Sequence, residues 1–155
     1  SGAHRRMGLG YVPQEPFRVD GQDPLFQRRE YRGAARRRGV GKAAQSRARG
    51  EWGERIACRW YEQHGYVVVA RNVRVGKGEI DFIATRQDVV VIGEVKARAS
   101  EKFGSPAEAM TQHKQRTVRR AGVEWARANN IAYWQLRFDL VCIVGTRVEV
   151  LPNAF

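Results

Sequence analysis

A chain of 155 residues with 43% hydrophobic side chains holds one packed core plus an extension. It shows neither an apolar run of about 18 residues nor an apolar leader region, so no membrane-spanning helix and no secretory signal are expected. A net charge of +12 and a pI near 10.6 favour a polyanion: DNA, RNA or an anionic membrane surface.

The charge is uneven. Residues 1–50 carry 12 Lys and Arg against 4 Asp and Glu, two thirds of the whole excess. From Met7 to Arg49 the chain is rich in Gly, Arg, Pro and Gln, and Pro13, Pro16 and Pro24 prevent a long helix. A short helix fits between Asp23 and Arg38. Residues 1–49 are therefore expected to form a mostly irregular, flexible basic arm, in which Arg36, Arg37 and Arg38 attract phosphates without sequence preference. Gly39-Val40-Gly41-Lys42 is no phosphate loop, because Arg36 stands where that motif needs Gly and Ala43 replaces its Ser or Thr.

A folded domain is expected over residues 50–155. Trp52, Ile56 and Trp60, with Ala57 and Tyr61, recur at helical spacing and predict a helix over about 50–64, ended by Gly65. Glu54 then falls near the helix start, where the macrodipole favours a carboxylate. The β-branched run Tyr66–Asn72 predicts a strand, and Gly76-Lys77-Gly78 a turn. Two strands follow near 79–85 and 89–97, broken at Arg86-Gln87-Asp88 and expected to pair as a hairpin. Val89–Ile92 is continuously apolar, as in a central strand buried on both faces.

Lys96 to Phe103 reads as a loop. Ser105-Pro106-Ala107-Glu108 fits a capping box that opens a helix, with a second start at Thr111. Val118, Ala121, Gly122, Trp125 and Ala126 form its apolar face, and Asn129-Asn130 ends it. Strands are predicted over Leu136–Val144 and Arg147–Leu151, joined at Gly145-Thr146. The order α-β-β-β-α-β-β gives an α/β fold, a mixed central sheet flanked by helices. Trp60, Trp125 and Trp134 read as core or interface aromatics. Cys58 and Cys142 lack a metal-like spacing and read as thiols in a reducing, cytoplasmic setting. His4, His64 and His113 form no zinc pattern.

The chemistry concentrates in Gly78–Lys96. Side chains alternate along a strand, so Glu94 and Lys96 share a face, as do Glu79 and Asp81. The hairpin brings Asp81 towards Glu94. Taken alone, Glu-x-Lys on a strand is a common surface ion pair worth about 0–1 kcal/mol. At the end of a buried strand, however, charges are costly unless paired or bound to metal. Mg²⁺ or Mn²⁺ suits oxygen ligands and needs only one or two carboxylates, here Asp81 and Glu94, with the backbone carbonyl of Val95 beside them. Lys96 is placed to orient a water or hold a phosphate. Glu54 and Glu79 are candidate auxiliary ligands.

Asp81 followed by Glu94-Val95-Lys96 resembles the D…(D/E)-x-K signature of restriction-endonuclease-like nucleases, whose common core has the order αβββαβ. Gly53-Glu54…Ala57, Gly78-Glu79-Ile80-Asp81, Glu94-Val95-Lys96, Lys114 and Arg137-Phe138-Asp139 are similar to the YraN-like family of uncharacterised bacterial proteins. That family is regarded as endonucleases similar to archaeal Holliday-junction resolvases. The resemblance covers roughly Gly50 to Leu151. It implies Asp81, Glu94 and Lys96 as the catalytic trio, a Mg²⁺ or Mn²⁺ cofactor, and DNA, including branched DNA, as substrate. It also implies Lys114 and Arg116 as phosphate contacts and a homodimer. Asp139 beside Arg137 reads as structural. Two alternatives stand beside a nuclease: an inactive nucleic-acid-binding module of the same fold, and a protein-interaction module that uses the basic arm.

Overall fold

The β-branched runs of the sequence become neighbouring strands of one sheet. The computed structural model describes residues 17–18, 41–100, 102, 104 and 106–155. Its elements in chain order are β1 (Phe17–Arg18), α1 (Lys42–Gln63), β2 (Val67–Val75), β3 (Gly78–Arg86), β4 (Val89–Arg98), a 3₁₀ turn (Pro106–Ala109), α2 (Gln112–Ala128), a second 3₁₀ turn (Tyr133–Gln135), β5 (Leu136–Val144) and β6 (Arg147–Leu151). The sheet order is β1-β6-β5-β4-β3-β2. β4 and β5 run parallel and every other pair is antiparallel, so the sheet is mixed as expected. The parallel pair requires a crossover, which α2 supplies.

Each face of the sheet is covered. Trp52, Ile56, Trp60 and Tyr61 of α1 pack on Phe82, Val91, Val141 and Ile143. Val118 and Ala121 of α2 pack on Ile80, Ile83, Ile92 and Phe138. This two-sided burial explains why β4 begins with four apolar residues in a row rather than an alternating pattern.

Four expectations need correction. The first helix starts at Lys42, not near residue 50, so residues 42–49 of the supposed arm are helical. Ala43, Ala44, Gln45, Arg47, Ala48 and Arg49 are good helix formers. None of them is buried and they carry no apolar stripe, which hid the helix from periodicity. The segment after Ser105 does not open the long helix. Pro106–Ala109 makes one 3₁₀ turn, and α2 begins after Thr111, whose Oγ1 accepts from the Lys114 backbone N–H at 3.2 Å. Trp134 is 71% exposed and belongs to no core. The strand expected over Tyr66–Asn72 runs on to Val75, past a bulge between Val68 and Ala70. The helix expected between Asp23 and Arg38, and Arg36, Arg37 and Arg38 themselves, lie outside the described residues.

A polar knot locks β5 to α1. Asp139 is fully buried and accepts from Tyr61 Oη at 2.6 Å, from Arg137 Nε and Nη2 at 2.9 and 2.8 Å, and from the Asn153 N–H at 3.0 Å. Arg137 Nη2 also donates to Tyr66 Oη at 3.1 Å. The structural reading of Asp139 thus agrees with its surroundings. Beside this knot, a Cβ added at Gly93 would overlap the Phe82 ring, so β4 can lie against that ring only with glycine there. Asp139→Ala leaves the Arg137 charge buried without its partner and is expected to cost about 3–5 kcal/mol, measured as a lowered urea midpoint. Gly93→Ala is expected to cost about 1–3 kcal/mol by overpacking, and Phe82→Leu should recover part of that loss.

Candidate metal centre

The site forms where the sheet forks. The β3–β4 ladder runs from Arg86↔Val89 to Phe82↔Gly93 and stops. Beyond it, Gly78–Ile80 pair only with β2, while Glu94–Arg98 pair only with β5. The Val95 N–H therefore has no strand partner on that edge. A buried backbone donor must be satisfied, and the Asp81 carboxylate does so, with Oδ2 at 2.8 Å. A strand residue sends its N–H and C=O to the same edge, so the Val95 carbonyl faces the fork as well.

Glu94 enters the fork from β4 and is only 2% exposed. Its Oε1 lies 3.2 Å from Lys96 Nζ and 3.6 Å from Lys114 Nζ. Its Oε2 is buried without a hydrogen-bond partner. An orphaned carboxylate oxygen in a dry site is costly, and an oxygen-seeking cation would satisfy it. Lys96 reaches Glu94 through the two-residue alternation along β4. Lys114 reaches it from the first turn of α2, which the Thr111 cap fixes in place.

Glu54 approaches from α1. The helix passes close to β4 at Gly53, where a Cβ would stand 2.8 Å from that of Ala97. Glu54 is twelve residues into its helix, too far in for the N-terminal dipole to matter, because that effect fades within the first turn. Burial raises its pKa, and the charges of Glu79, Glu51 and Glu94 push the same way, while a hydrogen bond to Asn72 opposes them. Asn72 sits at φ +50°, a left-handed position that asparagine tolerates better than most residues. It is the one site neighbour that the sequence reading misses, and its only signal there is an asparagine inside a β-branched run.

Asp81 carries the largest effect. Burial first, then the adjacent Glu94 charge, pushes its pKa from 3.8 to about 8, while the Val95 N–H works against the rise. Two carboxylates in one dry fork resist ionising together, so a divalent cation would relieve both. Among the described residues no three His, Cys, Asp or Glu side chains gather in ligand geometry. The donor set that fits is two carboxylates and a carbonyl, completed by water, which suits Mg²⁺ or Mn²⁺. The structure thus brings Asp81, Glu94, Lys96 and Lys114 together, with Glu54 near enough to act on Asp81 and Glu79 near enough to act on Glu54. Arg116 is exposed on α2 and makes no ion pair with these carboxylates.

Residues 53–143 match the model of the uncharacterised protein family UPF0102. The chain belongs to that family. A UPF0102 protein of Rhodococcus jostii is 43% identical over 117 residues, covering 72% of this chain and 99% of the relative. One from Desulfosudis oleivorans is 40% identical over 108 residues, covering 68% and 88%. One from Leifsonia xyli is 41% identical over 96 residues, covering 62% and 81%. The YraN-like resemblance is borne out. The UPF0102 match spans Glu54, Glu79, Asp81, Glu94, Lys96 and Lys114.

The Asp81 shift gives the metal-free UPF0102 fold a pH signature. Between pH 3.8 and about 8 the folded chain holds a proton that the unfolded chain has released, so this group's stabilisation is full at low pH and is lost as pH rises through 8. Asp81→Asn keeps an oxygen for the Val95 N–H and removes the titration. In chelator, it is expected to be more stable than wild type by about 1–3 kcal/mol at pH 8 and to lose that advantage near pH 4, read from paired denaturation curves. A constant difference between the two proteins across that range would refute the assignment.

Proposed function

We propose that this UPF0102 protein is a metal-dependent DNA endonuclease of the cytoplasm, acting on branched or damaged DNA. The observation that carries the reading is the fork itself: Asp81 and Glu94 meet at the Val95 backbone, two lysines flank one oxygen of Glu94, and its other oxygen lacks a partner. A chain of net charge +12 suits a polyanionic substrate. Both cysteines are free and buried, and burial raises each thiol to about 11, which fits inert thiols in a reducing compartment. No described helix is long and apolar enough to cross a membrane.

Asp81, Glu94 and the Val95 carbonyl would hold the cation. When bound, Mg²⁺ or Mn²⁺ supplies charge neutralisation at the phosphate and a water of lowered pKa. The protein supplies orientation. The end of the β3–β4 ladder fixes both carboxylates, and β4, which carries Glu94, fixes Lys96 two residues further on. The Lys96 side chain is 26% exposed, so its ammonium can meet both Glu94 and an incoming phosphate oxygen, offsetting charge that builds there during attack. Lys114, its side chain 38% exposed beside the same Glu94 oxygen, is a second phosphate contact. Glu54 and Glu79 keep the local field acidic and favour the cation over a bare phosphate. Two strands must be cut in a branched junction, so the proposal includes a homodimer.

The test is incubation with nicked, branched, single-stranded and duplex DNA, with Mg²⁺, Mn²⁺ or chelator. Cleavage is expected only with metal, and Asp81→Ala, Glu94→Gln and Lys96→Ala should each lower its rate by at least about 10²-fold. Saturating Mg²⁺ or Mn²⁺ should stabilise the wild type by about 2–3 kcal/mol at a hundred times Kd, and Glu94→Gln should abolish that gain. Metal-independent binding without cleavage, unchanged by these substitutions, would assign a nucleic-acid-binding module instead. Absence of affinity for any nucleic acid at low salt would favour a protein-interaction role.

A further inference from the structure

A cleft of about 350 Å³ opens beside the fork, between the first turns of α1, the end of β4 and the 3₁₀ turn. Ser46, Arg49, Lys96, Arg98, Ser100 and Ala109 line it, and among the described residues no lining side chain is acidic. The volume holds roughly ten waters, and so a hydrated phosphodiester group. Three cations with two hydroxyls are the donor set that recognises phosphate oxygens. Among the described residues no ion pair involves Arg49 or Arg98, whereas Glu94 holds both Lys96 and Lys114.

Lys96 belongs to both places. It touches Glu94 in the fork and lines the cleft. Arg98 follows it on the same face of β4, about 6.6 Å further along the strand, a step comparable to that between neighbouring phosphates of one nucleic-acid strand. Arg49 lines the same cleft from α1, the helix packed against Ala97 on the other face of β4, and it does so from a helical turn that exists only because α1 begins at Lys42.

We propose that this cleft is a second phosphate subsite, in which Arg49 and Arg98, assisted by Ser46 and Ser100, grip the backbone phosphate adjoining the one held at Lys96. The subsite rests on the nuclease reading for the identity of its ligand. It sets the path of the bound backbone, which runs from the fork along the end of β4. Both arginines bind phosphate without reading bases, so the subsite adds affinity and register but no sequence preference.

The test uses the full chain in Ca²⁺ or chelator, with fluorescein-labelled duplex and branched DNA, and follows affinity against salt concentration. The double variant Arg49→Ala/Arg98→Ala is expected to bind about tenfold more weakly and to lower the log–log salt slope by about 1–2, because each phosphate contact contributes about 0.9. Arg49→Lys/Arg98→Lys should keep most of the slope, which a purely structural role would not predict. Arg120→Ala/Arg127→Ala, on exposed turns of α2 away from the fork, is the control and should change the slope less. A wild-type slope in the alanine pair, or one equal to the control, overturns the subsite. Cleavage with an unaffected slope overturns the subsite alone. A lost slope without cleavage under any metal overturns the nuclease reading and leaves the subsite standing. Lack of DNA binding at low salt overturns both.

Discussion

The whole site depends on one unsatisfied strand edge. When β3 leaves β4 after Phe82↔Gly93, the Val95 N–H loses its ladder partner, and a carboxylate takes the place of a carbonyl. Asp81 is thereby drawn into a dry crevice next to Glu94, and both carry the desolvation cost. Lys96 and Lys114 offset it on one oxygen only. The surrounding structure serves this arrangement. Gly53 lets α1 close on Ala97, Gly93 lets β4 lie against Phe82, and the Thr111 cap sets the direction of Lys114.

The field around the fork is layered. Asp81 and Glu94 meet at the fork with Glu54 and Glu79 adding negative charge nearby, while the wider chain is strongly basic. Under the proposed function, a cation would sit at the acidic centre and a polyanion around it, with the two lysines on the boundary. Arg49 and Arg98 extend the basic side along β4. The arrangement thus separates the ligand that must be held tightly from the one that must arrive and leave.

Much of this was legible in residue patterns. The strands were readable because Val89–Ile92 and Leu136–Val144 are short β-branched runs between turn residues, and the pairing of Glu94 with Lys96 follows from alternation alone. The nearness of Asp81 to Glu94 followed from a tight turn at Gln87-Asp88. The fork was not legible, because where a ladder stops depends on packing over both faces and leaves no local composition signal. The first eight residues of α1 were missed for a related reason. Helix formers without an apolar stripe look like tail, and their misreading also gave Glu54 a terminal role that it does not have. Arg98 was within reach of the same alternation that placed Lys96, but nothing in the sequence points Arg49 towards it.

The far edge of the sheet has its own consequence. Phe17 and Arg18 pair with Val148 and Arg147, so two residues far upstream cap the outer side of β6. Unpaired N–H and C=O groups on an exposed strand invite pairing with another chain. A chain shortened to begin at Gly41 would keep both helices and the fork, yet present β6 as an open edge. The penalty of such trimming would fall on colloidal behaviour, as edge-to-edge self-assembly, and would leave the metal-ligand geometry untouched.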